Sequence, residues 1–343
     1  MIDFSSWMDL PTVWGFIIGI AILLYVLLDG FDLGVGILFP FAPSGECRSR
    51  MMNSIAPFWD GNETWLVLGG GGLFVAFPLA YSVLLPAFYI PIIAMLIGLI
   101  FRGVAFEFRF KSSEQTRPLW DLSFHMGSLL AAFMQGVLLG AWLQGVEMDG
   151  RQFAGGPMDW ATGFSMFTGI AVVFGYVLQG SGWLIMKTDG ITEQWARQAY
   201  RYSLLFVIAF MGLVSVITPF IHASIFEFWF TLPNFLLLSP IPIVTAALCL
   251  WAWKTSANSG NNDKPYTPFL CSVGLFVLGF LGIGISVYPW IIPYTATFTD
   301  AAAHSTALSI TLIGVVIQLP IILGYTAYSY YVFRGKAGHE AMY

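Results

Sequence analysis

The chain has 343 residues, of which 57% are apolar and only 10% charged, with a formal net charge of −5. A soluble domain carries roughly 25% charged residues, so the composition excludes a soluble enzyme, and there is no nucleic-acid signature. Length alone would allow two soluble domains, but the unbroken apolar runs do not. The opening MIDFSSWMDLP lacks the basic segment of a cleavable signal, so the first apolar run is expected to be retained as a span. From Thr64 to Phe101 there is no charged residue in 38 positions. As helix that run would extend about 57 Å, nearly twice the hydrocarbon thickness, so it is expected to cross twice. Pro78 and Pro86 mark the expected reversal. Continuous apolar runs without alternation exclude an outer-membrane barrel.

The same reading predicts an all-α integral membrane protein with nine spans, at 13–39, 62–80, 84–106, 122–145, 161–186, 202–221, 234–253, 268–290 and 305–333. The basic residues orient them. Thirteen of the 14 Lys and Arg fall in odd-numbered connections or the C-terminal tail, and Arg151 stands alone on the other side. The positive-inside rule then places the N-terminus outside and the C-terminus in the cytoplasm. Cys47, Cys249 and Cys271 have no metal spacing, and their odd number gives no disulfide framework. Short loops put the function in the membrane or against another membrane subunit.

The acids gather at the end that this topology calls cytoplasmic. In VLLDGFDLGVG (26–36), Asp29 and Asp32 lie about 24 and 29 Å along a helix from Val13, on one face. In NSIAPFWDGNETWLV (53–67), Asp60 and Glu63 precede a helix start, where Asp60 would cap and Glu63 would complete a capping box. Then come Arg102, Glu107 and Arg109 in FRGVAFEFRF, and Asp121 with His125 one turn further on. Two readings of this group stay open. Paired, snorkelling charges would anchor helix ends. Alternatively, hydrated carboxylates would relay protons inward, with Asp60 partly buried between Trp59 and Trp65.

Other motifs fail on inspection. Gly69–Gly72 and the DGFDLGVG glycines lack the Lys-Ser/Thr of a phosphate loop and suit close helix packing. Asp29-Gly-Phe-Asp32 lacks the ligand spacing of an EF-hand. Of four histidines, His339 is in the tail, while His222 and His304 sit near the outer face. Only His125 lies near a span interior, without a partner at matching depth, so a polar packing role is expected. A low-spin haem needs two axial ligands, so none is expected on this chain alone.

VLLDGFDLGVG, NSIAPFWDGNETWLV and FRGVAFEFR, in this order, resemble subunit II of the cytochrome bd-type quinol oxidases, and LQG (178–180) and GIGISVYPWIIP (282–293) fit the same family. The likeness runs from residue 1 to about 333, and the WDGNxxW element is its most specific part. It implies a bacterial plasma (inner) membrane complex that oxidises quinol and reduces dioxygen to water. It further implies two four-helix bundles, 13–145 and 161–290, plus a peripheral helix at 305–333. By the same resemblance, subunit I holds two haem b and one haem d together with the quinol-oxidising loop, and subunit II supplies no axial ligand. The family also admits a structural quinone and small single-helix accessory subunits. Carried over by position, Trp59 and Asp60 match a cytoplasmic proton uptake path beside subunit I, with Glu107 where the family has Asp or Glu. Asp32, Arg102 and Asp121 match charged positions that stabilise the complex and its haem insertion. Asp32 and Arg102 are expected to neutralise one another directly or through water, with Asp29 sharing the network. His125 belongs to no family motif. The connection between the sixth and seventh spans is shorter than in enterobacterial members.

Two rival readings remain. A proton-coupled secondary transporter would suit Gly/Pro-rich helices and intramembrane acids, although its site would lie near the midplane and these acids cluster at one face. A structural membrane scaffold would need no proton role.

The charge segregation makes a direct prediction. Reporter fusions after Gly45, Gly150 and Gly338 read inside, outside and inside. An outside reading at Gly338 overturns the odd number of spans.

Overall fold

A computed structural model describes residues 9–257 and 264–338; His339 and the first eight residues lie outside the described residues. The chain is almost entirely helical: α1 (Leu10–Leu38), α2 (Gly45–Ile55), α3 (Trp59–Ala76), α4 (Pro78–Ala87), α5 (Tyr89–Arg109), α6 (Arg117–Leu143), α7 (Gly163–Lys187), α8 (Gly190–Ile221), α9 (Ala223–Phe230), α10 (Asn234–Leu238), α11 (Pro240–Ser256), α12 (Thr267–Val287), α13 (Phe298–Ala301) and α14 (Ser305–Val332). Two small antiparallel hairpins pair β1 (Met148–Asp149) with β2 (Gln152–Phe153), and β3 (Trp290–Ile292) with β4 (Ala296–Thr297). Among the described residues, eight helices are long and apolar enough to cross a membrane.

The second predicted span departs from the rest. It corresponds to α3, an 18-residue helix whose first turns carry Asp60, Asn62 and Glu63, and it is not among those eight. The reversal expected at Pro78 and Pro86 is itself a helix. Pro78 occupies the first turn of α4, where its missing N–H costs nothing, and α4 packs against β2 and α3. The helix of the sixth predicted span also begins earlier than its apolar run. The segment from Gly190 to Arg201 is polar on one side, and an i,i+4 pair between Glu193 and Arg197 at 2.9 Å extends α8 beyond the hydrophobic stretch.

Two helices form the spine. From Asp29 to Leu38 every residue of α1 is buried, and the second half of α7 is buried likewise. They touch through glycine. A Cβ on Gly34 would stand 1.8 Å from the Tyr176 carbonyl oxygen, and one on Gly180 would stand 2.5 Å from Gly34 C. Backbone contact of this kind is how membrane helices associate when burial from water contributes little. The glycines of DGFDLGVG and LQG therefore meet each other. Around this spine α1 also packs on α3 and α6, α5 packs on α6, and α7 carries α8 and α12.

The last helix sits outside this core, with 6% of its most apolar stretch buried. It is held at its ends. Trp14 Nε1 donates to the Leu308 carbonyl at 3.1 Å near one end. At the other, the chain after Val332 folds back as a clasp over the ends of α7 and α2. Lys187 donates to the carbonyls of Phe333 and Gly335, and Lys336 Nζ donates to the Thr188 carbonyl at 2.6 Å. The Ala337 amide donates to the Lys187 carbonyl at 2.8 Å, while Arg50 Nε donates to the Ala337 carbonyl at 3.1 Å. The cations thus satisfy carbonyls that a helix end otherwise leaves unpaired.

The glycine contact yields a stability prediction. Gly34→Ala must force α1 and α7 apart and is expected to prevent accumulation of folded chain. Gly212→Ala, whose Cβ would meet nothing within 4 Å, leaves it unchanged. Thermal melts in detergent check both.

Candidate functional site

The acids singled out in the sequence fall into two clusters toward the end of the molecule that bears the basic residues. The inner one is built by α1, α3 and α5. Arg102, with no exposed surface, donates from Nη1 to Asp29 Oδ1 and from Nη2 to Glu63 Oε2, both at 2.5 Å. A buried guanidinium demands such partners, because an unpaired charge in low dielectric costs several kcal/mol. Asp32, the expected partner of Arg102, does not bond it. Its Oδ2 accepts from Asn62 Nδ2 at 2.7 Å instead. The reason is angular: one turn-fraction along α1 carries Asp32 toward α3, while Asp29 faces α5.

The outer cluster joins α6 to α5 and α2. Asp121 accepts from Arg109 Nε at 2.5 Å and pairs with Arg48 at 3.5 Å, and Arg109 also reaches Ser49 Oγ at 3.3 Å. Asp121 lies in the second turn of α6 because Pro118 starts that helix earlier than expected. Asp121 and Arg102 therefore belong to different networks. Glu107 joins neither: it is half-exposed and pairs with Lys111 one turn on at 3.4 Å.

Asp60 is exposed and stands in the first turn of α3. The expected capping arrangement is absent. The N-cap is Phe58, no side chain caps this end, and Glu63 is committed to Arg102. Nor does Trp59 wall Asp60, since its ring stacks on Phe106 with centroids 5.0 Å apart and lies 6.0 Å from the Arg102 guanidinium carbon. Trp65 is buried. His125 faces Gly36, with Nδ1 3.4 Å from its carbonyl oxygen, and its ring meets Phe41 edge-on. That is a packing role. His222 and His304 accept backbone N–H groups at the starts of α9 and α14. Each described histidine therefore has a local structural task.

A polar line that the sequence reading missed runs from the inner cluster toward the middle of the helices. Tyr176 on α7 donates to Gln135 Oε1 on α6 at 2.6 Å, and Gln135 Nε2 donates to the Tyr25 hydroxyl at 2.7 Å. Tyr25 in turn stands on α1 one turn before Asp29. The signal was present in the i,i+4 spacing of Tyr25 and Asp29, and in a lone Gln in the apolar run of α6. Gln179, fully buried beside Gly30, has neither amide atom hydrogen-bonded.

The family described as Cytochrome bd terminal oxidase subunit II matches residues 10–333. Cytochrome bd-I ubiquinol oxidase subunit 2 of Escherichia coli (strain K12) is 29% identical over 376 residues, covering 99% of this chain and 97% of that protein. Cytochrome bd ubiquinol oxidase subunit 2 of Bacillus subtilis (strain 168) is 29% identical over 342 residues, covering 97% of this chain and 98% of that protein. The solved bd oxidase from Geobacillus thermodenitrificans contains a chain of the same fold, with a TM-score of 0.74 at 18% identity, covering 95% of this chain and 99% of that one.

The pairing of Arg102 predicts different phenotypes for the two aspartates. Asp29→Ala removes one of the two anions on a buried guanidinium, at a cost of up to about 3–5 kcal/mol, and is expected to lower stable accumulation in the membrane strongly. Asp32→Asn strands no charge and is expected to accumulate normally. Quantitative immunoblots of membranes compare the two.

Proposed function

Because the chain belongs to the cytochrome bd terminal oxidase subunit II family, we propose that it is the haem-free second subunit of a bacterial inner-membrane complex that oxidises quinol and reduces dioxygen to water. Its partner is subunit I, which on this reading holds two haem b and one haem d. The present chain supports that subunit and supplies part of a proton uptake path from the cytoplasm. We also infer nine spans, with α3 and α4 together making the second, an outside N-terminus and a cytoplasmic C-terminus. The helices divide into bundles at 13–145 and 161–290, with α14 as the peripheral helix.

One observation carries the proton role: carboxylates of graded burial follow one another from α3 into α1. Asp60 is exposed, Glu63 one turn further in has 32% of its side chain exposed, and Asp29 and Asp32 have none. Reducing dioxygen to water consumes protons, and drawing them from one side of the membrane separates charge. An exposed carboxylate exchanges protons with bulk water, and buried ones hold a proton only where neighbours permit it. Trp59 belongs to this path as a wall: stacked on Phe106, it closes the side of α3 next to Arg102. Glu107, on the opposite exposed surface of α5, is better read as a surface pair with Lys111.

The haem-free reading fits the tasks these histidines have: His222 and His304 accept backbone N–H groups at helix starts, and His125 packs against Gly36 and Phe41. The transporter reading loses ground for a geometric reason: the inner acids are tied to Arg102 and Asn62 toward one end of the helices, whereas a transporter site would lie near the midplane.

The test is Asp60→Asn in the complete complex. Asn is no poorer a helix-start residue, so folding is untouched. The expected result is normal haem content with slow oxygen reduction and impaired proton uptake from the cytoplasmic side. Wild-type turnover and uptake remove Asp60 from the path.

A further inference from the structure

Nothing in the composition of α14 calls for a polar side chain against the core, yet Tyr330 reaches one. Its ring stacks on Phe58 with centroids 4.3 Å apart, and its hydroxyl donates to Asn62 Oδ1 at 2.9 Å. Asn62 is 1% exposed, and its Nδ2 donates both to Asp32 Oδ2 at 2.7 Å and to the Leu28 carbonyl at 3.1 Å. A backbone carbonyl only accepts, so the amide nitrogen must face α1 and the amide oxygen must face α14. Tyr330 supplies the donor that this oxygen needs. The result is that Asp32 meets a neutral N–H on one oxygen, while its other oxygen, Oδ1, has no hydrogen-bond partner among the described residues.

We propose that Tyr330 and Asn62 are positioning residues for Asp32, which takes up and releases a proton at Oδ1 as protons pass from α3 toward the partner subunit. The inference rests on the reading of this chain as a proton uptake subunit. A relay carboxyl must alternate between its acid and its anion without rearranging what surrounds it. Here the proton adds to Oδ1, forming the O–H bond, and leaves from that same oxygen. Oδ2 keeps its amide donor in both states, because an N–H serves either form. A direct cation would hold the group as an anion, as Arg102 holds Asp29. Arg102 spends its two terminal nitrogens on Asp29 and Glu63, leaving Asp32 with the neutral donor alone. Were the amide reversed, its oxygen would face the carboxylate and repel the anion. Tyr330 prevents that reversal.

The ionisable groups facing Asp32 are Asp29 on its own helix, Glu63 on α3, Arg102 on α5 and Tyr330 on α14. His125 on α6 and Tyr176 on α7 turn instead to Gly36 and Gln135. Any pH dependence that follows Asp32 therefore passes through a small set of residues. Each can be varied separately.

The experiment uses the complete complex, co-expressed with subunit I. Tyr330→Phe keeps the ring on Phe58 and removes only the hydroxyl. The expected result is unchanged haem content, an unchanged KM for quinol, a displaced pH–rate profile, and turnover lower by about five-fold, equivalent to one neutral hydrogen bond of about 1 kcal/mol. In the Asp32→Asn background, Tyr330→Phe should add nothing, because the hydroxyl acts only through the amide on that carboxyl. Asn62→Ala should produce the larger fall and likewise mask Tyr330→Phe. Wild-type turnover and pH profile in Tyr330→Phe overturn the inference, as does an additive loss on top of Asp32→Asn, or a loss of haem. Asp60→Asn keeps the two readings apart. If it is slow while Tyr330→Phe behaves as wild type, uptake stands and the positioning role falls. If Asp60→Asn behaves as wild type while Tyr330→Phe is slow with a displaced profile, uptake at Asp60 falls and the positioned Asp32 stands.

Discussion

A guanidinium with no exposed surface governs the architecture at the basic end of this protein. Arg102 on α5 requires an anion on each reachable side, and α1 and α3 each deliver one. Two 2.5 Å contacts fix the axial register of three helices at once, since sliding any of them by a turn would leave a charge unpaired in low dielectric. The outer pair of Arg109 and Asp121 repeats the logic between α5 and α6 at lower stakes, because Asp121 retains some exposure. Charge therefore sets height in this bundle, and glycine sets spacing. The contact of Gly34 with the Tyr176 backbone draws α7 against α1 closely enough for Tyr176 to reach Gln135 and, through it, Tyr25.

These constraints give two aspartates three residues apart different chemical environments. Asp29 accepts from Arg102, and one turn before it on α1 the line of hydrogen bonds from Tyr176 through Gln135 ends at the Tyr25 hydroxyl. Asp32 has one amide. The division of labour follows from helix geometry, because α1 turns Asp29 toward α5 and Asp32 toward α3. One aspartate is thus held by a buried cation and its neighbour by a neutral amide.

Much of this was legible in the sequence. The apolar runs gave the helices, since a long uncharged stretch admits few other structures in lipid, and the gathering of acids at one end followed from the distribution of basic residues. Partner choice was less accessible. Glu63 stands three residues after Asp60 at a helix start, which reads as a capping box, yet the distant Arg102 outcompetes the local backbone N–H. Asp32 and Arg102 lie at one depth without a direct bond, because depth says nothing about azimuth. Trp59 was expected against Asp60, but Phe106 offers a larger apolar face. The start of α8 was hidden because a polar helix entering an apolar one shows no break in hydropathy that marks its first turn. Asn62 and Tyr330 were invisible for a further reason: their meeting joins segments 268 residues apart.

The clasp that closes over α7 has a bearing on biosynthesis. Its donors and acceptors come from Phe333 to Ala337, the final described stretch of the chain. Until those residues leave the ribosome, the ammonium of Lys187 and the carbonyl of Thr188 lack the partners that hold them in the finished fold. Residues made late thus fasten together parts made much earlier, and α14 is bolted to the core from its trailing edge, so the ends of α7 and α2 settle only after α14 has been threaded.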